Sequence, residues 1–205
     1  MTRENVLGFC RVDARFVGPT SLSEANRETL LSLWEAGKHF ERLDLPEAES
    51  TPTAGRSTAG RYWGLEFAEI VQDSKRDTTY RLRRLFVQSL DDRKAARHQR
   101  AKDLAKAHQA LWTIRHRLGL PVYRDRRFVE RKVQAAVAKV GRYLRVEVIE
   151  LGKGLSGGQG EAKRFDLRWT LDRNQLRVDQ TFDGIYCLLT NLSEAEASPQ
   201  AVFSV

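Results

Sequence analysis

The chain has 205 residues, enough for one domain or two small ones with a real buried core. Apolar residues make up 41% and charged residues 30%, an ordinary globular balance, and no apolar run approaches the roughly 18 residues a membrane span needs. The informative number is the net charge of +8, which favours a polyanionic partner without by itself choosing DNA, RNA or a membrane surface.

Taken in order, residues 5–18 read as a β-rich start closed by Gly18-Pro19. Ser23 is a good N-cap, and Asn26, Leu30, Leu33 and Trp34 follow at helical spacing up to Gly37, which predicts a helix over 23–36. Residues 46–61 are poor in large apolar side chains and rich in Pro, Gly, Ser and Thr, as a linker is. Two strand-like runs, 62–71 and 79–89, flank a tight connection at KRD. The strongest helical signal lies over 91–118. Leu104, Leu111 and Leu118 recur every seven residues with Ala107 and Ile114 between them, and the charges at both ends suit the helix dipole. A second helix over 125–140 offers Phe128, Val129, Val133, Ala136, Val137 and Val140, so an antiparallel helical hairpin joined by GLPVYR is predicted over 91–140. Alternation returns at 143–151 and 163–171, and DGIYCLLTNL (183–192) reads as a last, mostly buried strand. The closing SEAEASPQAVFSV starts like a helix.

Charge is concentrated. Residues 91–142 hold 15 Lys and Arg against 5 Asp and Glu, a net +10, which leaves −2 for the remainder. Such a face is either simply solvated or a phosphate-binding surface. On density, Arg83, Arg84, Arg93, Arg97, Arg100, Arg124, Arg126 and Arg127 are the expected contributors to the second. Contacts of this kind position a duplex and do not read its sequence.

Other chemistry finds little support. GKGLSG (152–157) satisfies G-x-G-x-x-G, but it sits between two strands rather than opening a helix, so it reads as a hairpin loop. His98, His108 and His116 share a helix at spacings of 10 and 8, not the i, i+4 pair a metal needs. His39 has no evident partner, and no Gly-x-Ser-x-Gly is present. Cys10 and Cys187 fit no pattern and read as reduced thiols, which with an N-terminus lacking a signal-peptide core points to the cytoplasm. Asp13 and Asp183 are the carboxylates placed near strands, and a surface or turn role suits both.

The order FVGPTSLSEANRETLLSLWEAGKHF, basic hairpin, YLRVEVIEL and DGIYCLLTNLSEAEASPQAVFSV resembles transposases of the insertion-sequence-four superfamily. The resemblance covers most of the chain. Its most specific part is DGIYCLLTNL, similar to the D-G-x-x-x-L-x-T-N strand of that family. It implies a ribonuclease H-like core that cleaves and joins DNA strands with Mg²⁺ held by an Asp-Asp-Glu triad. It does not carry the triad onto this chain. The strand of the first Asp would lie upstream of Met1, Pro19 follows FVG where the second Asp is expected, and the Y-x2-R-x3-E-x6-K helix would begin just beyond Val205. Asp13 is a poor substitute for the second Asp on spacing.

The expected fold is therefore α+β. Residues 1–45 and 183–205 would form a partial ribonuclease H-like sheet with an unpaired edge, and 46–182 an insertion of strands and the basic antiparallel hairpin. The expected function is a transposase fragment with no catalytic residue, metal ligand or cofactor of its own, Mg²⁺ belonging to the full-length family. Its expected partner is DNA, with self-association possible and no membrane role. The alternatives are a nucleic-acid or protein-binding module unrelated to transposition, or a coiled-coil contact built on the apolar heptad seam.

Overall fold

The computed structural model describes residues 1–43, 61–151 and 164–204. The expected linker, apart from Arg61, and the GKGLSG segment lie outside the described residues. The protein is α+β, and it divides into two compact units, Met1–Lys94 with Phe182–Val205 and Ala95–Thr181.

The first unit is built on an antiparallel sheet of β1 (Val17–Thr20), β7 (Ile185–Thr190), β4 (Thr78–Ser89), β3 (Tyr62–Asp73) and β2 (Glu41–Leu43), in that spatial order. Strands β3 and β4 pair over twelve positions, from Tyr62 opposite Ser89 to Asp73 opposite Thr78, and the turn between them passes through Asp77 at φ 47°. Both faces of the sheet are covered. Leu82 and Phe86 of β4 meet Val6 of α1 (Arg3–Arg11) and Leu30 of α2 (Glu24–Glu35), respectively, in two adjoining clusters. Leu85 and Val87, on the opposite face, pack with Val202 of α6 (Pro199–Ser204). That double cover explains why six consecutive residues, 82–87, are buried.

One expectation is corrected here. The β-rich start is helix α1: the apolar positions Val6, Leu7 and Cys10 recur at helical, not alternating, spacing, and Thr2 caps the helix by accepting from the Asn5 N–H at 3.3 Å. Residues 62–89 share one sheet with the first and last strands, since β4 pairs directly with β7 from Arg83–Thr190 to Gln88–Ile185. A strand as apolar as LRRLFV needs cover on both faces, and the centre of the sheet provides it. Helix α2 agrees with its prediction: Ser23 accepts from the Asn26 N–H, and Gly37 at φ +76° ends it. Pro19 lies on β1 at the sheet edge, the place where a strand tolerates a missing donor.

The second unit holds most of α3 (Leu90–Arg117), a 3₁₀ turn (Pro121–Arg124), α4 (Arg126–Val137), and the antiparallel pair β5 (Leu144–Glu150) and β6 (Phe165–Leu171). Ala107, Leu111, Ile114 and Leu118 meet Val129, Val133, Val140, Leu144, Phe165 and Leu167 in one core. The heptad seam is thus consumed inside the unit, with Leu111 and Leu118 fully buried. Helix α5 (Arg173–Thr181) was not expected. Its sequence offers only Leu176 to the core, so no apolar stripe announces it, and Asp172 supplies the cap by accepting from the Gln175 N–H at 3.0 Å. No helix among the described residues is long and apolar enough to cross a membrane.

Candidate nucleic-acid interface

The division into units sharpens the charge asymmetry. Ala95–Thr181 holds 20 Lys and Arg against 9 Asp and Glu, a net +11, whereas the other unit holds 15 against 18, a net −3. Among the described residues, Arg115, Arg126, Arg142, Arg145 and Arg164 of the second unit are ion-paired with its own carboxylates.

The eight arginines singled out on density separate into different roles. Arg83 and Arg84 are only 7% and 8% exposed on the central strand β4, a placement that suits internal pairing better than phosphate contact. Arg83 is ion-paired with Glu66, with Nη2 donating to Oε2 at 2.9 Å, and its Nη1 donates to the Leu192 and Ala197 carbonyls at 3.1 and 2.8 Å. Arg84 donates to Glu69 at 2.7 Å and to Thr20 Oγ1 at 3.3 Å. Neighbouring strand residues point to opposite faces, and here both faces are packed, so each guanidinium needs an internal carboxylate. Arg93 is half-buried, near the start of α3 in the first unit, and its buried Nε has no hydrogen-bond partner among the described residues. Arg100 is half-buried too: its Nε donates to Tyr143 Oη at 3.2 Å and its guanidinium lies 5.7 Å from that ring. Arg97, Arg124, Arg126 and Arg127 are exposed on the second unit, and Arg126 pairs with Glu130.

Several cations outside that set are equally exposed. Along α3, His98, Lys102, Lys106, Gln109, Thr113 and Arg117 recur at three- and four-residue steps on the solvent side. At 1.5 Å per residue the stretch from Lys102 to Arg117 covers about 22 Å, the reach of roughly six phosphates on one strand. On α4, Arg127 and Arg131 make a second exposed i, i+4 pair.

Sequence reading also passed over an aromatic group. His108, Trp112 and His116 stand at i, i+4 and i+8 on α3, and Trp169 of β6 joins them. Trp112 stacks on His116 with centroids 5.1 Å apart and meets Trp169 edge-on at 6.4 Å. The Trp169 indole N–H donates to His108 Nδ1 at 3.0 Å. Trp112 remains 50% exposed even so. Considering the histidines without the tryptophan between them hid the H-x3-W-x3-H spacing.

The two carboxylates placed near strands sit in different surroundings. Asp13 is exposed in the turn after α1 at φ 52°, and Asp183 is buried just before β7. Among the described residues, no group of three acidic, His or Cys side chains is placed to hold a metal ion. Cys10 is a half-buried and Cys187 a buried free thiol. The DGIYCLLTNL residues do structural work instead. Thr190 Oγ1 donates to the Phe16 carbonyl at 2.7 Å, and the Asn191 amide accepts from Phe16 N–H at 3.0 Å while donating to the Ala14 carbonyl at 2.9 Å.

Comparison of the chain with protein-family models, with curated proteins and with solved structures gives no match.

Proposed function

We propose that this protein binds DNA through its second unit, by contacts to the phosphate backbone that do not read sequence. The observation that carries the reading is the segregation of charge: +11 on Ala95–Thr181 and −3 on the rest, with exposed cations spaced along α3 and α4. Counterion release from the phosphates would supply most of the affinity, which makes it steeply dependent on salt.

The choice of DNA rests on the resemblance of DGIYCLLTNL and of the element order to insertion-sequence-four transposases. On that reading the first unit descends from a ribonuclease H-like core, the basic helices α3 and α4 are the hairpin of the inserted element, and the chain is a transposase piece, silent in catalysis by itself. Mg²⁺ would serve the full-length family. The residues here do not suit it: Pro19 occupies the position of the second Asp, and Asp13 lies on an exposed turn. No cleavage step is therefore assigned to this chain.

Titration of a labelled duplex with the purified protein between 50 and 200 mM salt tests the reading. The logarithm of the binding constant should fall linearly with the logarithm of salt, by about 0.9 for every phosphate engaged. Joint replacement of Lys102, Lys106, Arg127 and Arg131 by Glu should flatten that slope. Binding that is indifferent to salt would overturn the proposal, and Mg²⁺-dependent nicking by the chain alone would overturn its silence in catalysis.

A further inference from the structure

We propose that Trp112 is a stacking platform for an unpaired base, so that the second unit holds a single-stranded stretch in preference to continuous duplex. The inference rests on the reading of this unit as a nucleic-acid surface and names the subsite within it.

Four rings form one array, His108, Trp169, Trp112 and His116, and Trp112 is the more exposed of its two indoles. An indole that is half exposed beside two histidines and an arginine is an uncommon use of a tryptophan unless another flat group completes its packing. The ring is also held in place. His116 stacks on it, Trp169 meets it edge-on, and Trp169 is itself fixed by its hydrogen bond to His108. A preorganised platform loses little freedom when a base arrives.

The surroundings suit a nucleotide. Trp112, Arg115, His116, Leu151 and Asp166 line a cleft of about 400 Å³. The Arg115 guanidinium lies 6.0 Å from the Trp112 centroid and forks onto Asp166, Nε to Oδ1 at 2.8 Å and Nη2 to Oδ2 at 3.2 Å. Asp166 lines the cleft with its carboxylate held by Arg115, and a carboxylate there suits an exocyclic amine such as that of cytosine. Arg117, exposed on the same helix, adds a phosphate contact in line with Lys102 and Lys106. Stacking on an aromatic face is tolerant of sequence because every base has such a face, in keeping with an interface built on phosphate contacts. In continuous duplex the bases are stacked on each other and cannot reach the indole.

The experiment compares wild type, Trp112→Ala, Trp112→Phe and the fourfold charge-reversed variant against a thymidine homo-oligomer, a uridine homo-oligomer and a duplex of equal charge. Tryptophan fluorescence should be quenched by the oligomers and much less by the duplex. Trp112→Ala should weaken oligomer binding roughly tenfold, while duplex binding changes less than twofold and Trp112→Phe retains most of the affinity. Equal quenching by duplex, or unchanged oligomer binding in Trp112→Ala, would overturn the platform. If charge reversal still weakened both ligands in that case, the phosphate-binding reading would stand alone. No salt-dependent binding of any ligand by wild type would overturn both. Comparison of the thymidine and uridine arms decides whether the strand held is DNA or RNA.

Discussion

Arg11 at the end of α1 forks onto Asp73 at the end of β3, Nε to Oδ2 at 2.6 Å and Nη2 to Oδ1 at 2.8 Å. The Asp73 side chain is 1% exposed, and it also accepts from the Lys75 N–H at 3.0 Å, so one carboxylate ties a helix to the hairpin turn. The Arg11 hydrogen bonds hold its pKa down at about 2, against an ordinary 3.8. A depressed carboxylate stabilises the fold above its unfolded pKa and loses that contribution as pH falls through the folded one. The first unit should therefore weaken between about pH 4 and pH 2. In Asp73→Asn the denaturant midpoint should already be lower at pH 7 and should fall less steeply across that window. Parallel acid curves for the two proteins would show that the pair contributes nothing.

Gly184 joins Asp183 to β7 at φ +71°, a conformation costly for any residue with a Cβ. A Cβ there would also lie 2.6 Å from the Arg93 backbone nitrogen and closer still to the Ser89 carbonyl oxygen. Backbone cannot step aside as a side chain can. Gly184→Ala should cost more than about 2 kcal/mol, read as a lowered denaturant midpoint, and should leave DNA contacts of the second unit unaltered where the protein still folds. Gly8, around which there is open space, is the control: Gly8→Ala should be neutral or slightly stabilising, since it lies within helix α1.

How much of this was legible in the sequence depends on whether an element carries its own periodicity. Helix α3 could be read from Leu104, Leu111 and Leu118, and β3 and β4 from two strand-like runs on either side of a tight turn. Helix α1 was misread since a short amphipathic helix with adjacent apolar pairs, Val6-Leu7 and Phe9-Cys10, resembles a strand over a few residues. Helix α5 left no trace because its principal buried group is Asp179, hydrogen-bonded to Tyr143 and Arg142. Among the site residues, charge density alone could not tell a buried guanidinium from an exposed one. The alternation of the strand that carries Arg83 and Arg84 predicts opposite faces but not that both are covered.

Arg83 and Arg84 offer a direct contrast with the exposed cations. Replacing Arg83 by Ala strands Glu66, only 18% exposed, and leaves the Leu192 and Ala197 carbonyls without their donor. Breaking a buried pair on one side costs about 3 kcal/mol at the lower end of its range. Arg83→Ala should therefore unfold at lower denaturant yet bind DNA normally while folded. Arg127→Glu, on the exposed face of α4, should do the reverse: stability changes by less than about 0.5 kcal/mol, and the salt slope falls by about 0.9. A loss of affinity in Arg83→Ala at full folding would return that residue to the interface.

Leu111 is fully buried in the core of the second unit, where α3 side chains meet those of α4, β5 and β6, and Phe86 is fully buried in the first. Truncation leaves a cavity that close-packed neighbours fill only in part, so Leu111→Ala should cost about 2–5 kcal/mol and Phe86→Ala about 3–5 kcal/mol. Each cluster is contained within one unit, which means the two losses should appear in different amides by hydrogen exchange. Leu111→Ala should speed exchange across α3, α4, β5 and β6 from residue 95 to 171 and leave β4 and β7 protected. Phe86→Ala should do the opposite, and acceleration of all amides together in either variant would mean that the units unfold as one. DNA affinity discriminates further: because the exposed cations sit on α3 and α4, it should fall with Leu111→Ala under mildly destabilising conditions where Phe86→Ala leaves it intact.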